Sequence, residues 1–302
     1  MNKLLILSGL LSITALAQVP LSKTDIVLSE KNTLVFNTDF NSRDVAKLSQ
    51  NARDMDAALP SQEPIFLVMY SPAGSIDAGL ELIETLTSLN RPVNTLSIFA
   101  ASMGFQTVQG LGERLLVANG TLMSHKATGG FSGEFPGQLD SRYSYYLKRI
   151  ARLDEKVVAR SKGKLTLEKY RSLVENEHWC DGEDCVKEGL ADRVVKASCD
   201  STLAGTNDVV LAKFMFAGAS IQVNAVRSKC PLITGILSAS VTINGENMYK
   251  EAKPQKDPVV VDYYTQQAQP VLSKEEIAQL VIRVDKILDD NSGTNRQVIR
   301  GY

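Results

Sequence analysis

The chain is poor in histidine and tryptophan and carries almost no net charge. Of 302 residues two are His and one is Trp, and 33 basic side chains face 34 acidic ones. Near-cancellation of charge leaves no basic stripe to neutralise phosphates, so neither nucleic acid nor an anionic membrane surface is an expected partner. With two histidines, any imidazole base is His125 or His178, and a multi-histidine metal centre is excluded. Long apolar runs are missing as well. The N-terminal one, from Leu4 to Ala17, is shorter than the roughly 20 residues a membrane span requires. Lys3 before it and Ala15-Leu16-Ala17 at its end complete the pattern of a secretory signal peptide over residues 1–17, with cleavage expected after Ala17. An exported chain in a periplasmic or secreted setting is the expectation.

Cysteine is scarce but even in number. Cys180, Cys185, Cys199 and Cys230 all lie beyond the leader, and in an oxidising compartment they are expected to form disulfides. Three connectivities are possible. Cys180 with Cys185 and Cys199 with Cys230 is preferred because each closes a short loop. A four-cysteine zinc site fits poorly, since one C-x4-C pair has no second close pair to join it. No metal and no cofactor is expected.

What the chain does have is alternation of apolar strands with amphipathic helices. Thr33 to Asn37 reads as a strand, and Val45, Leu48, Ala52, Met55 and Leu59 recur at helical spacing behind Asn41 and Ser42, with Pro60 as the stop. Ile65 to Tyr70 is an unbroken apolar strand. The turn Ser71-Pro72-Ala73-Gly74-Ser75 follows, then a helix with Ile76, Leu80, Ile83 and Leu86 on one face. Val93 to Phe99 is the next strand. Strands hydrophobic throughout, joined by helices, predict right-handed βαβ crossovers and a mainly parallel α/β sheet. Arg114 to Ala118 and Thr121 to Ser124, separated by Asn119-Gly120, read as two strands of a hairpin. Leu139, Tyr143, Tyr146, Ile150, Leu153 and Val157 recur at steps of four and three, an a/d seam suited to covering the domain or, the preferred reading, to packing on a second subunit. Residues 201–302 form a smaller α+β extension of unknown role. Within it, runs at Val209 to Phe216, Ile221 to Val226 and Ile233 to Ile243 are β-rich, a polar linker surrounds Lys253-Pro254, and Ser273-Lys274-Glu275-Glu276 caps an amphipathic helix.

Ser102 ends the Val93 strand in Phe99-Ala100-Ala101-Ser102-Met103-Gly104 and opens a helix carrying Phe105, Val108 and Leu111. A serine there is ordinarily an N-cap. The same position offers free backbone N–H groups and a positive dipole end, where an oxyanion is best held. His125 follows 23 residues later at the end of a strand, and His178 sits in a polar, aromatic segment.

These turns, taken in order from about Thr33 to Val195, resemble the proteolytic subunit of the Clp protease and its ClpP/crotonase-type fold. Ser71 to Ser75 is similar to the Ser-Pro-Gly-Gly turn of that family, Ala100 to Gly104 to its nucleophile turn, and Leu122-Met123-Ser124-His125 with Gly129-Gly130 to its histidine strand and substrate loop. The resemblance implies Ser102 as nucleophile, His125 as general base, and the amides of Gly74 and Met103 as oxyanion hole. It implies peptide binding along Gly129, Gly130 and Phe131 by strand addition. Counting back from Gly189-Leu190-Ala191-Asp192 puts Glu177 at the acid position, with Asp181 and Asp184 as rivals. Lys126, next to His125, opens a Ser-Lys dyad as a second mechanism. The implied domains are 18–200, a ClpP-like peptidase domain, and 201–302, its extension.

The expected function is therefore an ATP-independent serine endopeptidase acting on peptides or unfolded proteins, as a homo-oligomer with no ATP-driven partner. The alternatives are a catalytically degenerate scaffold or binding protein and, less well matched to a Ser/His pair, acyl-CoA chemistry. An α/β-hydrolase is disfavoured, because Ala100 stands where G-x-S-x-G needs its first glycine.

Overall fold

The computed structural model describes residues 25–58, 63–216 and 218–250, together with helical positions 279, 282, 283 and 286. The expected signal peptide, the linker at Lys253-Pro254 and the capping box at Ser273 lie outside the described residues. In chain order the elements are β1 (Ile26–Leu28), β2 (Thr33–Phe36), α1 (Ser42–Ala58), β3 (Ile65–Ser71), α2 (Ile76–Thr87), β4 (Val93–Ala101) and α3 (Met103–Gly110). They continue with β5 (Arg114–Ser124), α4 (Gly137–Arg160), α5 (Leu167–Leu173), β6 (His178–Asp181), α6 (Gly182–Glu188), β7 (Arg193–Val194) and β8 (Ala197–Cys199). Last come β9 (Thr206–Phe216), β10 (Ala219–Ser228), β11 (Ile236–Ile243) and β12 (Glu246–Lys250).

The central sheet has the order β2-β3-β4-β5-β6, with β7 also on β5. Its pairs are parallel except β5 with β6. Both faces are covered, which is why its strands read as continuous apolar runs. In β3, Ile65, Leu67 and Met69 join the core shared with the helices, while Val68 turns to a second core with Ile26, Leu28, Leu96, Leu115 and Val195. Parallel strands put their carboxyl ends on one edge of the sheet. The turn after β3, Ser102 after β4 and His125 after β5 therefore gather there, as ligand-binding turns do in such sheets.

One expectation fails. Arg114 to Ser124 is a single strand, all of it running parallel to β4, and Asn119-Gly120 is no hairpin turn. Leu116 pairs with Ser97 and Thr121 with Phe99, so the residues between them bulge out of register. Gly120 is needed there, since a Cβ would come 2.5 Å from the Ser97 carbonyl oxygen. Glycine serves a bulge as readily as a turn.

The last third holds a separate antiparallel sheet, β12-β11-β10-β9. Ile221, Val223 and Val241 form its small core. Alternation along β10 (Ile221, Val223 and Ala225 buried, Gln222 and Asn224 less so) is the period-2 pattern of a sheet covered on one face. Cys199–Cys230 links β8 to the loop after β10, and Cys180–Cys185 bridges β6 and α6. None of the described helices is long and apolar enough to cross a membrane.

Candidate active site

Ser102 is held with φ 55° and ψ −114°, a backbone conformation that L-residues rarely adopt, and its side chain makes no cap hydrogen bond. Its amide instead donates to the Met123 carbonyl at 2.9 Å, binding the turn to the end of β5. The ordinary N-cap role is thus ruled out by geometry. Oγ faces His125 Nε2 at 2.7 Å, within reach for proton transfer. Strain at a single residue, costing about 1–3 kcal/mol, is characteristic of functional turns.

The two supporting turns are tied to one side chain, Tyr170. Ser124, just before His125, shares a 2.6 Å hydrogen bond with the Tyr170 hydroxyl. Gln106, one helical turn after Ser102, donates to that same oxygen at 3.5 Å. Burial pushes the Tyr170 phenol up to about 12, against the opposing pull of Ser124, so it stays protonated near neutrality. Tyr170 therefore braces both the serine and the histidine turn from α5. Nothing local in the sequence marks it, because its partners lie 46 and 64 residues away.

Gly74 has φ 143°, and a Cβ there would fall 2.3 Å from the Phe40 nitrogen, so no other residue fits. Phe40 bonds the Ala73 carbonyl and the Ser75 amide at 3.0 and 2.9 Å. That parallel bridge turns the Gly74 N–H away from Phe40. Met103, the first residue of α3, has no intrahelical acceptor for its N–H. Neither amide has an acceptor among the described residues. Ser75 caps α2, its Oγ accepting from the Ala78 amide at 3.4 Å.

The structure places the candidate acids apart from one another. Antiparallel β5 and β6 pair Thr121 with Asp181, Leu122 with Cys180, Met123 with Trp179 and Ser124 with His178. The ladder ends there, and His125 and Glu177 are the next residue of each segment, outside the sheet. Asp181 is four residues down the strand, about 13 Å away. Asp184 sits on α6 in an ion pair with Lys187. Glu177 is exposed, with φ 65°, and its Oε2 accepts from the Trp179 indole at 3.3 Å rather than from His125. No carboxylate among the described residues bonds His125. Lys126 is paired with Glu175 at 2.5 Å, so the structure does not bring the Ser-Lys dyad together. His178 bonds Glu188 at 2.6 Å. Gly129 and Gly130 are exposed, irregular in conformation and without neighbours at the Cβ position, and Phe131 packs its ring 5.2 Å from that of Tyr146.

Fold and site together define an α/β protein in which a strained serine, a histidine and two free turn amides converge on the carboxyl edge of a parallel sheet. A sequence profile describing the Clp protease matches residues 27–198. The chain belongs to the Clp protease family, a family of peptidases. It is similar to the ATP-dependent Clp protease proteolytic subunit of Streptococcus gordonii, 27% identical over 141 residues covering 46% of this chain and 71% of the relative. It is also similar to the subunit of the same name from Streptococcus mutans serotype c, 26% identical over 142 residues, 46% of this chain and 72% of the relative.

Proposed function

We propose that the chain is a serine endopeptidase working without ATP on peptides or unfolded proteins. The observation that carries this reading is the 2.7 Å contact between His125 Nε2 and Ser102 Oγ at a strained strand-to-helix turn. In the proposed mechanism Ser102 Oγ attacks the scissile carbonyl carbon while His125 takes its proton. The developing oxyanion is received by the Gly74 and Met103 amides. His125 then protonates the leaving amine, and water admitted to the acyl-enzyme reverses the sequence. Glu177 is the proposed acid, supported by its place next to His178, which pairs with Ser124, the residue before His125. Gly129, Gly130 and Phe131, four to six residues after the histidine, are proposed to lie along an extended substrate.

Export is part of the proposal. It is supported by the leader pattern at residues 1–17 and by disulfide pairing of all four cysteines. N-terminal sequencing of the native protein tests it, and an uncleaved Met1 would refute it. A homo-oligomer is proposed from α4. Its second half buries Leu153 and Val157 in the domain, while Tyr143 and Leu147 in the first half stay 57% and 47% exposed. Sedimentation as a monomer at working concentration would count against it.

The decisive experiment is labelling by a fluorophosphonate probe. Wild type is expected to label and to cleave an unfolded protein, and Ser102→Ala to do neither. A folded wild type that neither labels nor cleaves would overturn the peptidase reading.

A further inference from the structure

The β6–α6 turn carries a cluster for which the peptidase chemistry has no use. Along β6 the alternation of side chains puts His178 and Cys180 on one face. On α6, Cys185 and Glu188 are three residues apart and so share one side of the helix. The two faces meet. His178 Nε2 lies 2.6 Å from Glu188 Oε2, Cys180 and Cys185 are joined, and the ligand atoms of His178, Cys180 and Glu188 all fall within 4.8 Å of one another.

We propose that reduction of Cys180–Cys185 opens a tetrahedral zinc site made of Cys180, Cys185, His178 and Glu188. Zinc binds sulfur at about 2.3 Å and imidazole nitrogen or carboxylate oxygen at about 2.0–2.2 Å. Around a tetrahedron those bond lengths separate neighbouring ligands by roughly 3.3–3.8 Å. The sulfurs must part from bonding distance, His178 Nε2 and Glu188 Oε2 must open from 2.6 Å, and the wider separations, none above 4.8 Å, must close by at most about 1 Å, adjustments within reach of side-chain rotation. Two thiolates, an imidazole and a carboxylate select Zn2+ over the oxygen-seeking Mg2+ and Ca2+. The surroundings suit a structural site, because Cys185 is fully buried and Cys180 nearly so.

The disulfide and the metal are mutually exclusive staples for one turn. A dithiol supplies two electrons and two protons to the Sγ–Sγ bond and is itself oxidised to a disulfide, leaving two thiols. Zn2+ then displaces both thiol protons and takes neutral His178 through Nε2 and ionised Glu188 through a carboxylate oxygen. The turn next to Glu177 is thereby kept closed in either redox state.

The test is anaerobic titration of the full chain with Co2+, then Zn2+, before and after reduction by a water-soluble phosphine. Reduced wild type is expected to bind one Co2+ per chain with a thiolate-to-cobalt charge-transfer band and intense visible bands, both bleached by Zn2+. The oxidised chain should show neither. His178→Ala and Glu188→Ala should each weaken Co2+ binding by at least the roughly 10–100-fold seen for loss of an outer-shell partner. Cys180→Ser/Cys185→Ser should abolish the band, and Cys199→Ser/Cys230→Ser should keep it. The proposal is overturned if reduced wild type gives no such band, or if His178→Ala binds Co2+ as wild type does. A band that follows Cys199 and Cys230 instead would overturn it equally.

Discussion

Asp192→Asn should unfold the domain more readily while leaving untouched the edge of the sheet that carries Ser102 and His125. Asp192 lies beside the amino end of β5, opposite the end that carries His125. Its carboxylate accepts from the Arg114 amide at 3.0 Å, from Arg114 Nε at 3.1 Å and from Nη2 at 2.9 Å, with Lys162 Nζ at 3.0 Å. Arg114 is 1% exposed, and its guanidinium also donates to Gln109 Oε1 and to the Gly189 and Arg160 carbonyls. Asparagine would keep the shape, remove the charge and turn one acceptor into a donor aimed at donors. Breaking a buried pair from one side costs about 3–5 kcal/mol, because the remaining charge is left uncompensated. For a domain of this size each kcal/mol moves Tm by about 2–4 °C, which gives a fall of roughly 6–20 °C. Lys162, largely exposed, adds little to this figure.

The same pair makes the effect depend on pH. Burial alone would raise the Asp192 pKa, but hydrogen bonds from Arg114 and Lys162 outweigh it and hold the carboxyl well below the usual range. A group depressed on folding stabilises the native state above its unfolded pKa, about 3.9. That contribution fades as pH falls through the folded value. Urea and thermal unfolding of both proteins should therefore give a gap that is constant from about pH 7 to 5 and narrows below about pH 4. A loss smaller than about 1 kcal/mol at pH 7, or a gap that persists unchanged to pH 3, would refute the argument from the buried pair.

The remaining expectations concern the active site. Gly74→Ala should lower kcat by about 10²–10³-fold, the loss of one oxyanion donor, because its Cβ would collide with Phe40 and rotate the amide; steady-state kinetics within tenfold of wild type would refute the Gly74 role. Glu177→Gln should lower kcat/KM by on the order of 10²–10⁴-fold, whereas Trp179→Phe should not lower it. If Glu177 serves only to accept from the indole, the glutamine variant retains full rate, and the acid assignment fails.

Much of the central fold is legible in the sequence, for a reason visible in β3 and β4. Strands buried on both faces are apolar, without a break over Ile65–Tyr70 of β3 and with only small or polar Asn94, Thr95 and Ser97 interrupting β4, and the helices between them keep a stripe, so the βα alternation needs no knowledge of partners. Asn119-Gly120 misleads because a bulge and a hairpin turn use the same residues. Only the direction of the neighbouring strand separates them, and β4 contributes that from elsewhere in the chain. The α4 heptad pattern runs evenly across a buried and an exposed half, since periodicity records which residues could pack, not which do. Arg114 and Asp192 escape notice because the pair is 78 residues apart, and an arginine opening a strand looks like a surface residue. The Ser102 turn is recognisable by its neighbours, but its φ of 55° is a tertiary property, imposed where the Ser102 amide meets Met123 on the adjacent strand.

The proposed acid shows how register and chemistry combine. Glu177 immediately precedes β6, two residues before Trp179, and His125 immediately follows Ser124, the residue paired with His178 at the end of the ladder. The carboxylate accepts from the indole N–H at 3.3 Å, and in the proposed mechanism its second donor is the Nδ1–H of His125, whose Nε2 is engaged by Ser102. While His125 is neutral the two donors are alike in kind. In the proposed mechanism it becomes an imidazolium on taking the proton of Ser102, which adds attraction between opposite charges to a hydrogen bond that the carboxylate already makes charge-assisted. The pull on Glu177 is then greatest as the tetrahedral intermediate forms. An acid that arrives with the charge stabilises the transition state more than the resting enzyme, which is the condition for raising kcat. On this argument Trp179→Phe removes a competitor in the ground state alone, so its effect should appear in the resting hydrogen bond of His125, read as a downfield Nδ1 proton resonance, before it appears in the rate.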